Sequence, residues 1–333
     1  MYEKIKITLP KAGAELLKKD CVDFKVVKEN GEPNMNSFVN SLVVNFYEEF
    51  SAAEENLHDE VKKAIAVVPD YYRDSVFRDI VKLFAKRSVA EEDKRESVAF
   101  SFKPTKSSEK AVIYIEHALL VDESLSSFYR RMFSAYSQKT KNEREKIIFK
   151  DNYTILQKAV AKGLQVCIAL QSGDVIPDAS VYAVAAGKDE LFNYVLIYAN
   201  KQNITVRLAS VRSVSILPEK SDIPPKNAEM FARQVSAAAQ YPIYNSDKEP
   251  IKVQLTDKGK KLFDKIYLYR PTPVSIEGDI YTFDCSANQL LYYFERFGDS
   301  ALILSPKRLG IFMRNYYYYA LKKYRSIYKF ENK

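Results

Sequence analysis

The sequence predicts a multidomain α+β protein, and three observations carry that reading. A single alternating strand opens the chain, Lys4-Ile5-Lys6-Ile7-Thr8-Leu9-Pro10, and helical patterns follow it. Between residues 165 and 217, five short apolar runs come in close succession, separated by glycine or polar turns. From residue 251 onward, strand-like and helix-like segments alternate. The 333-residue length suits two or three domains of roughly 100–200 residues each. With 47% hydrophobic and 28% charged residues, most of the chain can bury a core.

In the opening strand Ile5, Ile7 and Leu9 point one way, and Lys4, Lys6 and Thr8 the other. Pro10 stops the strand and suits the first turn of a helix reaching about Asp20. A polar turn, Glu29–Pro33, leads to a second helix with Asn36 or Ser37 as N-cap and Phe38, Leu42, Val43, Phe46 and Tyr47 at helical spacing. One short strand and two helices cannot close a core, because the strand leaves two bare edges. Antiparallel pairing with the strand of a second copy would solve this. On that pattern residues 2–50 resemble a ribbon-helix-helix module. The resemblance implies a dimeric ribbon whose Lys4, Lys6 and Thr8 read base edges in a major groove, and a helix start at Asn36-Ser37 that grips a phosphate. The stretch Cys21–Met35 between the helices is longer than that family's, and a swapped-strand dimerisation module remains the other reading.

Residues 53–150 read mostly as a helical connector. Asp59–Ala66, Tyr71–Arg87 and Ser124–Ser137 are amphipathic, whereas Ser97–Lys103 and Ala111–His117 look extended around the turn Pro104–Ser108. Charge is concentrated in two places. From Leu125 to Lys150 stand seven cations, including Arg130 and Arg131, against Glu143 and Glu145; from Ser305 to the end stand eight against Glu331 alone. With a net charge of +8 for the chain, these are footprints for a polyanion, or two solvated helix faces. Phe128-Tyr129-Arg130-Arg131 interleaves aromatics with cations, as base-stacking surfaces do; aromatics to the core and arginines to water is the alternative.

The middle segment orders its elements as helix Tyr153–Lys162, then extended runs Gln165–Leu170, Ser180–Ala185, Tyr194–Tyr198, Ile204–Leu208 and Ser213–Leu217, which suggest a small barrel. With Tyr194-Val195-Leu196 followed by Thr205-Val206-Arg207-Leu208-Ala209-Ser210-Val211-Arg212, residues 151–218 resemble a WYL domain, an Sm-like barrel. Val195 stands where that family has a second tyrosine. Arg207 matches its first groove arginine, Ser210 occupies the place of the second, and Arg212 lies just beyond. The resemblance implies a groove for nucleic acid or a small anionic effector, in which Tyr194 and Tyr182 stack bases beside Arg207. An ion pair within the barrel is the other role open to Arg207.

After the Pro-rich linker Leu217–Lys226, residues 227–333 read as an α+β domain, similar to the C-terminal dimerisation extension that accompanies WYL barrels. Its last helix, Pro306–Arg325, sorts by angle. Leu309, Phe312, Met313, Tyr316, Ala320 and Tyr324 fall on one side as a core or dimer seam; Lys307, Arg314, Tyr318, Lys322, Arg325 and Lys329 form a basic stripe suited to a phosphate backbone.

Two histidines in unrelated segments, three scattered cysteines, and no Gly-rich phosphate loop, HExxH or CxxC motif argue against catalysis, a metal or a cofactor. The first thirty residues carry no secretory pattern and no apolar run approaches bilayer length, so a reducing, cytoplasmic setting without a membrane partner is expected. A ribbon-helix-helix at residues 1–52, a connector at 53–150, a WYL barrel and a dimerisation domain together resemble the WYL accessory proteins of type VI-D CRISPR systems. That resemblance implies a non-catalytic homodimer that binds single-stranded RNA and stimulates an RNA-guided RNA nuclease. A regulator that binds duplex DNA through its ribbon and senses a ligand through its barrel, and a structural adaptor, are the other two readings.

Overall fold

The structure, a computed structural model, describes residues 3–87, 96–120, 123–244 and 249–328. The chain divides into two compact units, residues 1–153 and 154–333.

In the first unit β1 (Ile5–Pro10) leads into α1 (Lys11–Asp23), α2 (Met35–Ala64), α3 (Asp70–Arg87), β2 (Ser97–Phe102), α4 (Glu109–Tyr114), α5 (Leu125–Gln138), α6 (Lys141–Ile148) and the start of α7 (Lys150–Lys162). The alternation of β1 is real: Ile7 and Leu9 are buried, Lys6 and Thr8 exposed. Its partner corrects the dimeric ribbon. β1 pairs antiparallel with β2 of the same chain, Lys6 opposite Ser101 and Thr8 opposite Ala99. The ladder runs on to Lys11 N–H donating to the Glu96 carbonyl at 2.9 Å, so odd-numbered residues of β1 face β2 and Thr8 faces the outer edge. There the Thr8 carbonyl accepts from Arg130 Nε at 2.9 Å, and a cation at a strand edge obstructs the addition of another strand.

The second helix starts earlier than the sequence suggested. Asn34 caps it, its side chain accepting from Ser37 N–H at 3.1 Å. Asn36 is engaged elsewhere: it donates to the Lys103 carbonyl at 3.1 Å and accepts from Lys103 N–H at 2.7 Å. That contact replaces the phosphate grip. Ala111–His117 is helical, not extended, through α4 and the π-turn Ile115–Leu119. Its Val, Ile and Tyr favour strands locally, but burial of Ala111, Val112 and Ile115 follows a helical face.

Aromatic rings fill the core of this unit, Phe38 and Phe46 each meeting Tyr136 edge-on at 6.4 and 6.3 Å. One buried ion pair lies beside them. Asp20 on α1, 1% exposed, accepts from Arg144 Nε at 2.6 Å, Arg144 Nη2 at 3.1 Å and the Tyr136 hydroxyl at 2.9 Å. Burial and the Asp20 carboxylate together hold the Tyr136 phenol far above its ordinary range, so it stays protonated and keeps donating.

The second unit begins with β3 (Leu164–Leu170), β4 (Val175–Ala186), β5 (Asn193–Ala199), β6 (Gln202–Arg207) and β7 (Val211–Lys220). These form one antiparallel sheet in the order β6-β5-β4-β3-β7. The first and last strands in that order are consecutive in sequence, joined by the 3₁₀ turn Leu208–Ser210. A flat sheet would hold its two edge strands about 19 Å apart, four spacings of roughly 4.8 Å. Four residue steps reach only about 14 Å, so the sheet must roll. Among the described residues no ladder joins β6 to β7, so the expected barrel is a rolled sheet rather than a closed one.

Then come α8 (Pro225–Ala237), β8 (Ile251–Leu255), α9 (Asp257–Lys265), β9 (Pro273–Glu277), β10 (Ile280–Phe283), α10 (Ala287–Phe294), β11 (Ala301–Ser305) and α11 (Lys307–Ile327). A four-stranded sheet, β11-β8-β10-β9, packs on a core that includes Val253, Leu255, Phe263, Phe283, Phe294 and Leu309. β9 had no counterpart in the sequence reading, since an edge strand that begins at a proline and is largely exposed lacks the apolar signature. Among the described residues no helix is long and apolar enough to cross a membrane.

Asp20→Ala strands the Arg144 guanidinium in the interior. Stability should fall by about 3–5 kcal/mol, read as a lowered urea midpoint by circular dichroism, with Asp20→Asn losing less because an acceptor remains.

Candidate nucleic-acid interface

The basic segment of the first unit resolves into internal contacts. Arg130 holds the β1 edge. Arg131 pairs with both Glu54 and Glu123 and lies 5.5 Å from the Phe50 ring centroid. Lys139 pairs with Glu49 at 2.8 Å, Lys141 with Asp23 at 2.7 Å, and Arg144 with Asp20. Lys146 lies over Tyr153, and Lys150 Nζ donates to the Asn45 carbonyl at 3.0 Å. These cations tie helices together, which removes Arg130 and Arg131 from the candidate surface. Phe128 and Tyr129 are buried as well, so no base can stack on them.

Lys4, Lys6 and Thr8 do face outward, on one face of the β1–β2 ribbon beside Ser101 and Ala99. Among the described residues this face carries charge and hydroxyls but no aromatic ring.

In the second unit the WYL-like positions gather around the turn that rolls the sheet. Tyr194 on β5 stands opposite Arg207 on β6, while Val195, Leu196 and Ile197 fill the interior. The Arg207 guanidinium lies 3.6 Å from the centroid of Phe192, a cation–π contact. Arg212 is exposed on β7, just past the turn. Gly187 lets Tyr194 lie close: a Cβ there would sit 2.8 Å from the tyrosine ring. The structure therefore brings Arg207 and Tyr194 together and sets Arg212 at the same turn. Tyr182 is partly exposed, with its ring stacked on Phe231 of α8 at 5.2 Å between centroids. Phe192 went unnoticed in the sequence because it ends an irregular loop and obeys no periodic pattern.

The stripe on α11 remains on the surface. Arg314, Lys322 and Arg325 are exposed; Arg314 bonds to neighbouring Asn315, and Lys322 and Arg325 make no ion pair among the described residues. Lys329 lies outside the described residues. The opposite face keeps Leu309 and Met313 in the core but leaves Phe312, Tyr316, Tyr319, Tyr324 and Ile327 exposed.

No protein-family model and no curated protein matches this sequence. Among solved structures, one described as the crystal structure of a CRISPR Cas-related protein superposes on 98% of this chain and 95% of its own, with a TM-score of 0.63 at 18% identity. Another, the proteasome accessory factor B/C (PafBC) of Arthrobacter aurescens, covers 68% of this chain and 39% of its own at a TM-score of 0.25 and 15% identity, too loose a superposition to bear on the fold. The first likeness establishes a shared fold over nearly the full chain.

Arg131→Ala leaves Glu54 and Glu123 facing each other without a cation. The melting temperature should drop while affinity for nucleic acid stays at the wild-type value; an affinity loss without destabilisation would return Arg131 to the binding surface.

Proposed function

We propose that the protein is a non-catalytic accessory factor that binds single-stranded RNA and stimulates an RNA-guided CRISPR RNA nuclease. The observation that carries this is the cluster at the rolled sheet's turn: Arg207 over Phe192, with Tyr194 opposite and Arg212 alongside. An arginine neutralises phosphate and the rings accept unstacked bases, the pairing that single strands require. The full-length structural neighbour is described as CRISPR Cas-related, and that supports the RNA-guided setting. The protein would hold the RNA, and bond cleavage would belong to the nuclease.

A homodimer is part of this reading. The exposed Phe312, Tyr316, Tyr319, Tyr324 and Ile327 on α11 make an apolar stripe of the kind that interfaces cover. With that stripe against a second copy, the basic stripe would still face solvent. Phe312→Asp combined with Tyr324→Asp should shift the sedimentation of a dimer to that of a monomer; an unchanged sedimentation coefficient moves the seam elsewhere.

One observation favours a second reading, a regulator that binds duplex DNA. A two-stranded ribbon is the right width for a major groove, and on the outward face bearing Lys4, Lys6 and Thr8 the residues opposite are the small Ser101 and Ala99. Titration with single-stranded RNA, single-stranded DNA and duplex DNA at several salt concentrations separates the two. On the accessory reading, Arg207→Ala weakens RNA binding by about 10- to 100-fold and abolishes nuclease stimulation, whereas Lys6→Ala leaves both intact. Gly187→Ala, which displaces the Tyr194 ring, weakens RNA binding in the same direction. Sequence-specific duplex binding that disappears with Lys6→Ala would reverse the assignment.

A further inference from the structure

Next to the Arg207 cluster, the loop between β4 and β5 meets the C-terminal part of the second unit. Gln240 brackets Lys188, accepting from its N–H and donating to its carbonyl, each at 2.9 Å. Lys188 Nζ donates to the Arg270 carbonyl at 2.9 Å. Asp189 accepts from Tyr269 N–H at 2.7 Å, and Glu190 accepts from the Tyr269 hydroxyl. Three non-glycine residues of this contact adopt left-handed backbone: Asp189 at φ 67°, Leu191 at 55° and Tyr269 at 63°. Each costs about 1 kcal/mol or more, and the bonds just named hold Asp189 and Tyr269 there. The loop is thus a fixed floor rather than a loose connection.

On that floor stands a row of tyrosines. Tyr241 meets Tyr269 at 6.5 Å between ring centroids, and Tyr269 meets Tyr292 at 5.4 Å. Gly187 joins this row to the rolled sheet: a Cβ there would sit 2.8 Å from the Tyr194 ring and 3.0 Å from Oε1 of Gln240, the residue before Tyr241. Burial first, with neighbouring phenols and carboxylates, pushes Tyr241 up to about 12. Tyr241 and Tyr269, both raised, therefore stay protonated near pH 7 and place no phenolate against a phosphate. The row ends at Tyr292, 46% exposed, with the Arg296 guanidinium 5.7 Å from its ring centroid. Arg296 is itself exposed. Arg296 also lies 5.4 Å from the ring centroid of buried Tyr293 and donates to the Leu268 carbonyl at 3.5 Å, so it is anchored to the core while it tops the half-exposed Tyr292.

We infer that the single-stranded site extends beyond the rolled sheet, from Arg207 and Tyr194 along Tyr241 and Tyr269 to a second anchor at Tyr292 and Arg296. This rests on the RNA-binding reading and adds the track and its far end. Arginines stand at both ends where the backbone phosphates pass, and sequence-tolerant rings stand between them. Bases would stack on ring faces and on the Arg296 plane, so the track favours a flexible single strand over a duplex, whose bases are already stacked.

The test compares labelled oligouridines of about four and about twelve nucleotides, lengths that bracket the site size of a single small fold. With wild-type protein the longer RNA binds more tightly. Tyr292→Ala and Arg296→Ala should each weaken the longer RNA by about ten-fold and leave the shorter one unchanged. Arg296→Ala should also reduce the slope of log affinity against log salt by about 0.7. Tyr292→Phe, which keeps the ring, should behave as wild type, and circular dichroism of these surface variants should be unaltered. If the longer RNA binds both alanine variants as tightly as wild type while Arg207→Ala still loses affinity, the extended track is wrong and the sheet site stands. If wild-type protein binds neither RNA, the RNA-binding reading falls, and the track with it.

Discussion

Three residues carry the chain from one edge of a five-stranded sheet to the other, and the candidate site follows from that constraint. Leu208–Ser210 cannot bridge a flat sheet, so the strands roll until β6 and β7 stand near each other at the turn. Rolling brings the end of β6, with Arg207, beside the start of β7, with Arg212. Along β5, Val195 and Ile197 point to one side and Leu196 and Tyr194 to the other; the first three are buried, and Tyr194 lies against Gly187. An arginine at the end of an open, flat sheet would be an isolated surface charge. Here it has an aromatic ring beneath it and another in register across the ladder.

Charge location, more than charge total, distinguishes the two units. The seven cations between Leu125 and Lys150 read from the sequence as a footprint for a polyanion. In three dimensions they meet Glu54, Glu123, Glu49, Asp23 and Asp20, two backbone carbonyls and a ring. Glu123 stands eight residues from Arg131, but the other four acids lie roughly 80–120 residues away in sequence, on α1 and α2, so no local count could have paired them. A pair such as Asp20–Arg144 is buried at a desolvation cost and is valuable mainly in fixing which helix faces which. On α11 the sequence contains no acid between Lys307 and Arg325 to do the same, and its cations remain on the surface.

Most secondary structure was legible because its signals are local. β8 was readable to the residue from strict alternation, and the strands of the rolled sheet were readable to within a few residues from short apolar runs between turns. What failed depended on distant partners. β1 looked like half of an intermolecular ribbon because its mate, β2, lies about 90 residues on, and neither strand announces the other. Ala111–His117 carries strand-favouring side chains, and only packing of Ala111, Val112 and Ile115 decides for helix. At the site, Arg207 and Tyr194 were visible through a resemblance, whereas Phe192, the ring beneath the arginine, belongs to a loop with no period. Tyr182 satisfied the pattern, and its stacking partner, Phe231 of α8, lies 49 positions on and could not be read from it.

The two candidate surfaces also differ in chemistry, and that difference bears on which nucleic acid each can hold. The β1–β2 ribbon offers Lys4, Lys6 and Thr8 with small neighbours, a surface that can contact phosphates and groove edges but, among the described residues, has no ring on which an unstacked base could lie. The second unit offers arginines interleaved with Phe192, Tyr194, Tyr241, Tyr269 and Tyr292. A duplex gains little from exposed rings because its bases already stack on one another, whereas a single strand loses that stacking and recovers it on the protein. Tyr292 stands 46% exposed beside Arg296, in the same unit as the arginine–aromatic cluster, which is why the single-stranded reading rests there and the ribbon is left to a duplex if it binds one.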